Sequence, residues 1–274
     1  MTLLRANAKI NIGLYITCKR SDGFHDIATV YYPIALYDEL FINCSDTFLL
    51  KLSGIAIDGT IEDNILFKIY QYFRTHFAIT PIQILLHKKI PTGAGLGGGS
   101  SDAATLIIWI NSHFQLGLHT HQLISIASKF GSDIAFFLLN QCCYGIGKGD
   151  ILEPLDISLV QYTLILIKPI VHCNTATAYQ YVSITDNHPL RQNIMLPISE
   201  WRNNISNEFE KSVFNQYPEI AIIKNKLYQN GAIYASMSGS GSTVYGLFHC
   251  FTDIPTLLSK LSLTDEFVYI EKCK

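Results

Sequence analysis

The residues best suited to chemistry are a glycine-rich segment, a lysine in an apolar N-terminal stretch and an aspartate in a Gly-Ser-Asp turn. The segment from Pro91 to Ala104 reads Pro-Thr-Gly-Ala-Gly-Leu-Gly-Gly-Gly-Ser-Ser-Asp-Ala-Ala. It separates a predicted strand from a predicted helix, so its backbone N–H groups at the helix entrance have no intrahelical partners. Those donors and the positive end of the helix dipole favour an anion. The segment therefore predicts a phosphate site.

Other interpretations of this segment are weaker. No Gly-Lys-Ser or Gly-Lys-Thr follows the glycines, which excludes a Walker A loop. Gly93, Gly95 and Gly98 satisfy Gly-x-Gly-x-x-Gly, but a dinucleotide site also needs a carboxylate about 20 residues further on. The stretch 111–122 contains no Asp or Glu. A turn that only lets a helix pack on a sheet needs one or two glycines and no serines.

Phosphoryl transfer requires a group that accepts or orients the acceptor's proton and a cation near the transferred charge. Asp133 is the candidate base, because it stands in Gly131-Ser132-Asp133 just before an apolar run. An Asx turn or a helix cap is the alternative for this residue. Lys9 is the candidate cation, since its ammonium in an apolar strand needs a partner or a ligand. An edge-strand lysine that reaches solvent is its alternative. Asp102 is expected to cap the helix after the loop.

The composition restricts the class of protein. The chain has 274 residues, of which 49% are hydrophobic and 15% charged, so it is long enough for one large or two ordinary folded domains. The net charge of -2 gives no general affinity for nucleic acid or membrane. No apolar run is long enough for a signal peptide core or a membrane span, so we expect a cytoplasmic protein. The seven cysteines lack metal-type spacing, which predicts neither zinc nor a disulfide framework.

The elements that position these residues follow from hydrophobic periodicity. Alternation predicts strands at 5–17, 82–90, 162–167 and 243–249. Helical spacing predicts helices at 65–77, 103–111, 120–130, 175–182 and 205–229, with Asp63 or Asn64 capping the first. The stretch 27–42 is expected to form strands interrupted near Pro33 and Tyr37-Asp38. Glycines near 145–149 place a boundary between a domain at 1–150 and a domain at 151–274. The mixed order of elements indicates an α+β fold.

Three separated motifs resemble those of the GHMP kinase superfamily, which includes galactokinase, homoserine kinase, mevalonate kinase and phosphomevalonate kinase. They are Ala8-Lys9-Ile10-Asn11, the segment 91–104 and the loop Ser236 to Ser242. The turn Arg20-Ser21-Asp22-Gly23-Phe24-His25, together with Gly131-Ser132-Asp133, is most similar to the 4-diphosphocytidyl-2-C-methyl-D-erythritol kinase branch. Three positions depart from that branch: Phe24 stands where Tyr is usual, Ser132 where Ala is common, and Ala135 near a position where Pro is common.

The resemblance implies a two-domain GHMP kinase fold, with an N-terminal ribosomal-protein-S5-domain-2-like domain and a C-terminal ferredoxin-like domain. It implies ATP-dependent phosphorylation of the 2-hydroxyl of the methylerythritol unit in the non-mevalonate route to isoprenoid precursors. Asp133 would accept the hydroxyl proton, and Lys9 would stabilise the developing charge. Mg²⁺ would offset the triphosphate charge, with its protein ligands unassigned. The alternatives are a homoserine or mevalonate kinase, a non-catalytic nucleotide-binding sensor and a dinucleotide oxidoreductase.

The same resemblance assigns binding residues. ATP would be held by Asn64, Lys88, Pro91, Gly93, Ala94, Gly95, Leu96, Gly97, Gly98, Gly99, Ser100 and Ser101. The cytidine diphosphate substrate would contact Asn11, Phe24, His25 and Tyr179, with Phe24 and Tyr179 on the two faces of the cytosine. The implied partner is this small molecule, with neither nucleic acid nor membrane involved, and the chain is expected to be a monomer or a weak homodimer.

Overall fold

The computed structural model describes residues 1–180, 182, 184–185 and 188–273. By the density of its internal contacts the chain divides into two units. Unit 1 comprises residues 1–9, 33–92 and 97–141, and unit 2 comprises residues 10–32, 93–96 and 142–274. The first two strands, β1 (Thr2–Lys19) and β2 (His25–Cys44), contribute residues to both units.

Unit 1 combines a piece of sheet with four helices in its described residues. After β1 and β2 its elements are β3 (Leu49–Gly54), α1 (Ile65–Phe77), β4 (Ile82–Lys88), α2 (Gly98–His113), α3 (Thr120–Ala127) and α4 (Ile134–Leu139). The C-terminal half of β2 pairs antiparallel with β4, and β4 pairs parallel with β3. Alternation along β4 buries Ile82, Ile84 and Leu86, and the same alternation buries Lys88 at the end of the strand.

Unit 2 contains the remaining elements. They are β5 (Cys143–Ile146), β6 (Ile151–Pro154), β7 (Tyr162–Lys168), α5 (Thr175–Gln180), α6 (Leu190–Asn193), α7 (Ile198–Asn204), α8 (Phe209–Gln216), α9 (Pro218–Gln229), β8 (Tyr234–Met237), β9 (Val244–His249), α10 (Ile254–Leu261) and β10 (Phe267–Glu271). Four of these strands form an antiparallel sheet in the order β10-β7-β9-β8. Its core joins Ile165 and Ile167 of β7 to apolar residues of α8, α9 and α10.

These elements confirm the expectation of an α+β fold, with one exact match and two that agree to within one residue. The strands at 162–168 and 244–249 and the first helix, capped by Asn64, lie where periodicity predicts them. The predicted helix at 205–229 is wrong as one element. It begins later, at Phe209, and it ends and restarts around Tyr217, because Pro218 lacks the N–H that would continue the first helix.

The expected interruptions near Pro33 and Tyr37-Asp38 are also wrong. β2 runs from His25 to Cys44 without a break. Pro33 lies between the segment paired with β5 and the segment paired with β4, so neither ladder needs its missing N–H. All seven cysteines are free thiols in the structure. None of the helices in the described part of the chain combines the length and apolar character that crossing a bilayer requires.

Candidate active site

Lys9 of β1 forms the centre of the site in unit 1. Eleven consecutive residues of β1, 6–16, are buried, and Lys9 among them is only 3% exposed. Its Nζ lies 3.6 Å from Oδ2 of Asp133. Burial lowers the pKa of Lys9, and the nearby Asp133 carboxylate partly offsets that effect. The expectation that this ammonium finds a partner is confirmed, and the alternative of an edge lysine reaching solvent is wrong.

Asp133 occupies the turn immediately before α4. It is the N-cap residue of that helix by position, but its side chain makes no capping hydrogen bond. The carboxylate instead lies next to Lys9, and 33% of the side chain is exposed to solvent. The interpretation of Asp133 as a helix cap is therefore wrong. A carboxylate with a cation on one side and an accessible surface on the other can accept a proton from a bound hydroxyl.

Gly97, in the middle of the glycine-rich segment, lies next to this ion pair. Gly97 is the N-cap of α2 and has a φ of 71°, a left-handed conformation that favours glycine. A Cβ at this position would lie 2.8 Å from the Phe137 ring and 3.2 Å from Cε of Lys9. No side chain caps α2, which begins at Gly98 and includes Ser100 and Ser101. Its first N–H groups therefore point out of the helix near Lys9, as an anion site requires.

A second lysine of unit 1 lies behind the same segment. Lys88, at the end of β4, is 2% exposed and its Nζ forms ion pairs with Asp38 of β2 and with Asp102 of α2, the latter at 2.9 Å. A Cβ on Gly98 would lie 3.0 Å from this Nζ. The expectation that Asp102 caps α2 is wrong, because Asp102 lies in the second turn and faces the interior.

The pKa values of this buried cluster differ from those of the first pair. Burial raises the pKa of Asp102 to about 7, although Lys88 opposes that rise. The pKa of Lys88 is raised, since the two carboxylates together outweigh the opposing effect of its burial. The predicted contact between Lys88 and adenosine stays a prediction, and a contact through its ammonium would require this cluster to open.

Asn64, the other residue expected to contact adenosine, lies at the start of α1. Its Oδ1 accepts a hydrogen bond from the backbone N–H of Leu66 at 2.9 Å, which caps the helix. Pro91 follows the buried Ile90 in the chain. The roles of Asn64 and Pro91 toward ATP remain predictions.

In unit 2 the middle of the glycine-rich segment, residues 93–96, packs on the C-terminal glycine-serine loop. The hydroxyl of Ser238 donates to the carbonyl of Gly95 at 2.8 Å and accepts from the N–H of Asn11 at 3.2 Å. Gly95 has a φ of +75°, and a Cβ there would collide with the carbonyl oxygen of Ser238. Ser238 thus connects the loop to Asn11, which was expected to contact the substrate.

The other expected substrate residues also lie in unit 2. The rings of His25 and Tyr179 are stacked, with centroids 4.8 Å apart and an interplanar angle of 18°. Phe24 is 60% exposed, and the ammonium of Lys148 lies 5.2 Å from its ring centroid. Nδ2 of Asn11 donates to Thr29 Oγ1 at 3.0 Å. The structure therefore brings His25 and Tyr179 together. A cytosine held between Phe24 and Tyr179 stays a prediction.

The sequence analysis missed the cluster formed by Asp38, Lys88 and Asp102. A signal was present in β2, where Asp38 shares the buried side of the strand with Leu40 and Ile42. A carboxylate at a buried position of a strand needs a cation nearby. Lys88 lies at the end of β4, where apolar and polar residues alternate in the same way.

Comparison with known proteins identifies the family. The GHMP kinases N terminal domain matches residues 64–141, and the GHMP kinases C terminal domain matches residues 194–262. A 4-diphosphocytidyl-2-C-methyl-D-erythritol kinase of Bacteroides fragilis is 47% identical over 247 residues, which cover 88% of this chain and 90% of the relative. The chain belongs to the 4-diphosphocytidyl-2-C-methyl-D-erythritol kinase family of GHMP kinases. The enzyme of that name from Bacteroides thetaiotaomicron is 47% identical over 249 residues, again with 88% and 90% covered.

Solved structures agree with this membership. A crystal structure of 4-(cytidine 5'-diphospho)-2C-methyl-D-erythritol kinase is 25% identical, with a TM-score of 0.81 and 98% of each chain covered. A homoserine kinase from Cytophaga hutchinsonii and a mevalonate kinase, 17% and 12% identical, have TM-scores of 0.67 and 0.73, and they show the shared fold. The two-domain GHMP kinase fold is confirmed, and the chain is an ATP-dependent small-molecule kinase.

Proposed function

We propose that this kinase transfers the γ-phosphoryl group of ATP to the 2-hydroxyl of 4-diphosphocytidyl-2-C-methyl-D-erythritol, in the non-mevalonate route to isoprenoid precursors. The observation that carries the mechanism is the pair of Lys9 and Asp133, 3.6 Å apart, beside the Gly97 entrance to α2. It combines a base, a cation and a phosphate-binding helix terminus in unit 1. The names of relatives that are 47% identical support the choice of acceptor.

In the proposed reaction, the acceptor oxygen attacks the γ-phosphorus, the bond to ADP breaks, and the hydroxyl proton passes to Asp133. Lys9, next to Asp133, stabilises negative charge on the acceptor oxygen. The N–H groups of Gly98, Gly99 and Ser100 stabilise the phosphate oxygens at the start of α2. All of these groups are held by packed elements, so they need little rearrangement as the charge moves.

Mg²⁺ belongs to the proposal as a partner of the triphosphate. This ion usually keeps several waters and is bound through one or two carboxylates together with substrate phosphates. Among the described residues, no group of three His, Cys, Asp or Glu side chains gathers to hold a metal ion. In the proposal, Mg²⁺ is therefore held chiefly by oxygens of the triphosphate. When bound, it would offset part of the phosphate charge.

For the acceptor, the proposal assigns cytosine recognition to the aromatic residues of unit 2. An exposed Phe24 and the ring of Tyr179 offer faces for stacking, while His25 offers ring nitrogens to the edge of the base. Because His25 now stacks on Tyr179, base binding between Phe24 and Tyr179 would exchange that ring contact for a contact with cytosine. Asn11 would contact the erythritol end.

A substrate panel tests the proposal. The purified chain is incubated with ATP and, in turn, with the cytidyl substrate, homoserine and mevalonate, and ADP formation is measured. Turnover with the cytidyl substrate alone is expected. Turnover with homoserine or mevalonate but not the cytidyl substrate would contradict the proposal, and ATP binding without turnover would indicate a nucleotide-binding sensor. A cytoplasmic location and a monomeric or weakly dimeric state remain predictions.

A further inference from the structure

The cluster of Asp38, Lys88 and Asp102 joins the residues that precede Gly93 to the residues that follow Gly99, on the two sides of the glycines. On the entering side, Oδ1 of Asp38 accepts hydrogen bonds from the backbone N–H groups of Lys89 and Ile90, at 2.6 and 2.9 Å. On the leaving side, Lys88 binds Asp102 in α2, and its Nζ lies beneath Gly98. The geometry of this cluster is therefore coupled to the entrance of α2.

The cluster holds one more carboxylate than it has cations. Both oxygens of Asp38 have donors, since Lys88 donates to Oδ2 and the backbone donates to Oδ1. Asp102 accepts from Lys88 through Oδ2, but its buried Oδ1 has no hydrogen-bond partner. An ionised carboxylate is costly where one oxygen is buried without a donor. Asp102 is therefore the member that most readily takes a proton.

No buried charge on the described helices that pack against α2 compensates the second carboxylate of the cluster. The charged groups that face Asp102 are Lys88 from β4 and Asp38 from β2. Helix α2 packs against α1, α3 and α4. α4 has no ionisable residue. The basic residues of α1, α3 and the rest of α2 are all exposed: Lys68, Arg74, His76, His113 and His121. The other titratable side chains of α1 are the phenols of the buried Tyr70 and the half-buried Tyr72. Lys9 and Asp133 form their own pair.

We propose that Asp102 is a positioning residue whose carboxyl group takes up a proton when the triphosphate of ATP binds at the entrance of α2. Phosphate charge next to Gly98 disfavours a net negative cluster behind it, and a proton on Asp102 leaves one ammonium facing one carboxylate. Nucleotide binding is thus linked to proton uptake near neutral pH, where the pKa of about 7 leaves Asp102 partly ionised. The inference rests on ATP being the co-substrate and is independent of the acceptor.

Calorimetry tests the linkage directly. The non-hydrolysable β,γ-imido analogue of ATP, with Mg²⁺, is titrated into the protein at pH 7.5 in buffers of different ionisation enthalpy. The slope of heat against buffer enthalpy gives the number of protons taken up. Asp102→Asn is the matched variant, because it keeps the shape and removes the titration. Wild type should take up about half a proton more than this variant.

The affinity supplies a second readout. Between pH 6 and pH 9, the wild-type Kd should weaken relative to the variant by up to about tenfold for each unit by which binding shifts the pKa. Equal proton uptake and parallel pH profiles in the two proteins would overturn the linkage while leaving the kinase intact. Failure of wild type to bind the analogue would overturn the linkage and ATP use together.

A measurement on wild type alone covers the case in which the variant does not fold. In protein labelled with ¹³C at the aspartate carboxyl groups, one resonance should titrate near pH 7. Addition of the analogue should move that midpoint to higher pH. A midpoint that stays in place, or no aspartate titrating above pH 5.5, would contradict the proposal. A residue with a purely structural role would give neither signal.

Discussion

Unit 1 contains two buried lysine–aspartate groups that use the same residue types with opposite results. Lys9 has one carboxylate, Asp133, whose side chain is one third exposed, and its pKa is lowered. Lys88 has two carboxylates, both buried, and its pKa is raised. Burial favours the neutral form of both lysines. Two close carboxylates outweigh it at Lys88, whereas Asp133, 3.6 Å from Lys9, does not.

Under the two proposals above, the difference separates a reactive pair from a positioning cluster. In the first group, one third of the Asp133 side chain is exposed, which leaves room for a substrate to approach. The positive charge of Lys9 faces this single carboxylate. In the second group, every polar atom but one has a protein partner, so we infer that the cluster holds the backbone in place. The contact of Lys88 with adenosine stays a prediction. A buried lysine in a kinase thus needs its partners counted before a role is assigned.

The largest expected effect is on turnover. Asp133→Asn removes the proposed proton acceptor and should lower kcat by about 10²- to 10⁴-fold, while ATP affinity changes little. Steady-state kinetics and nucleotide titration measure the two quantities. Asp46→Asn, at an exposed position in unit 1, is the matched control. Wild-type turnover in Asp133→Asn would remove this residue from the mechanism and erase the contrast with Asp102, which should affect nucleotide binding instead.

The next effect is on stability. Asp38→Ala leaves two backbone N–H groups and one face of Lys88 without an acceptor, so the free energy of unfolding should fall by about 3 kcal/mol. Urea denaturation measures it. The neighbouring Glu39→Ala removes a surface ion pair with Lys89 and should hardly move the denaturation midpoint. If the two variants were equally stable, the cluster would not hold the segment.

A smaller effect is expected at the glycine that touches the reactive pair. Gly97→Ala adds a Cβ that presses on Phe137 and Lys9 in a left-handed conformation, so kcat/KM should fall about tenfold. Gly117→Ala is the matched control, because Gly117 has a similar φ of 66° and a Cβ there meets nothing within 4 Å. Similar kinetics in the two variants would show that contact between the loop end and Lys9 is unimportant.

The smallest expected effect is a shift in the alkaline limb of the pH profile of kcat. Lys9 is cationic below its pKa, so activity should be lost as pH rises through that value, at a pH below the ordinary 10.5. Lys9→Arg keeps its charge and should move this limb upward, even if kcat falls. Measurement of kcat from pH 7 to 11 in wild type and Lys9→Arg tests both expectations. A limb at or above 10.5 in wild type would contradict the lowered pKa.

Local patterns identified most elements, and they singled out Lys9 and Asp133, whose side chains the structure brings together while their catalytic roles stay predictions. The lysine in an apolar strand, the glycine segment and Asn64 before a helical pattern each carry a physical requirement that lies within a few residues. The pairing of Lys9 with Asp133 came from the resemblance, because nothing local relates two residues so far apart in the chain.

The remaining features depend on contacts between distant elements. Asp38 was interpreted as part of a strand break, since Tyr37-Asp38 is also a turn signal, whereas in the structure a buried lysine on another strand satisfies it. Asp102 was interpreted as a cap, because a serine-rich helix start offers that role locally. The helix break at Pro218 carried its own signal, and the hydrophobic periodicity across it outweighed that signal in the prediction.

The contact between Gly95 and Ser238 restricts how this chain can be recombined with its relatives. The two residues are 143 positions apart, yet the carbonyl oxygen of Ser238 fills the space that a side chain at 95 would need. In a chimera that takes its glycine-rich segment from one parent and its C-terminal loop from another, the two surfaces of this contact come from different proteins and need not be complementary. Crossover points chosen by sequence alone would therefore succeed most often when both loops come from the same parent.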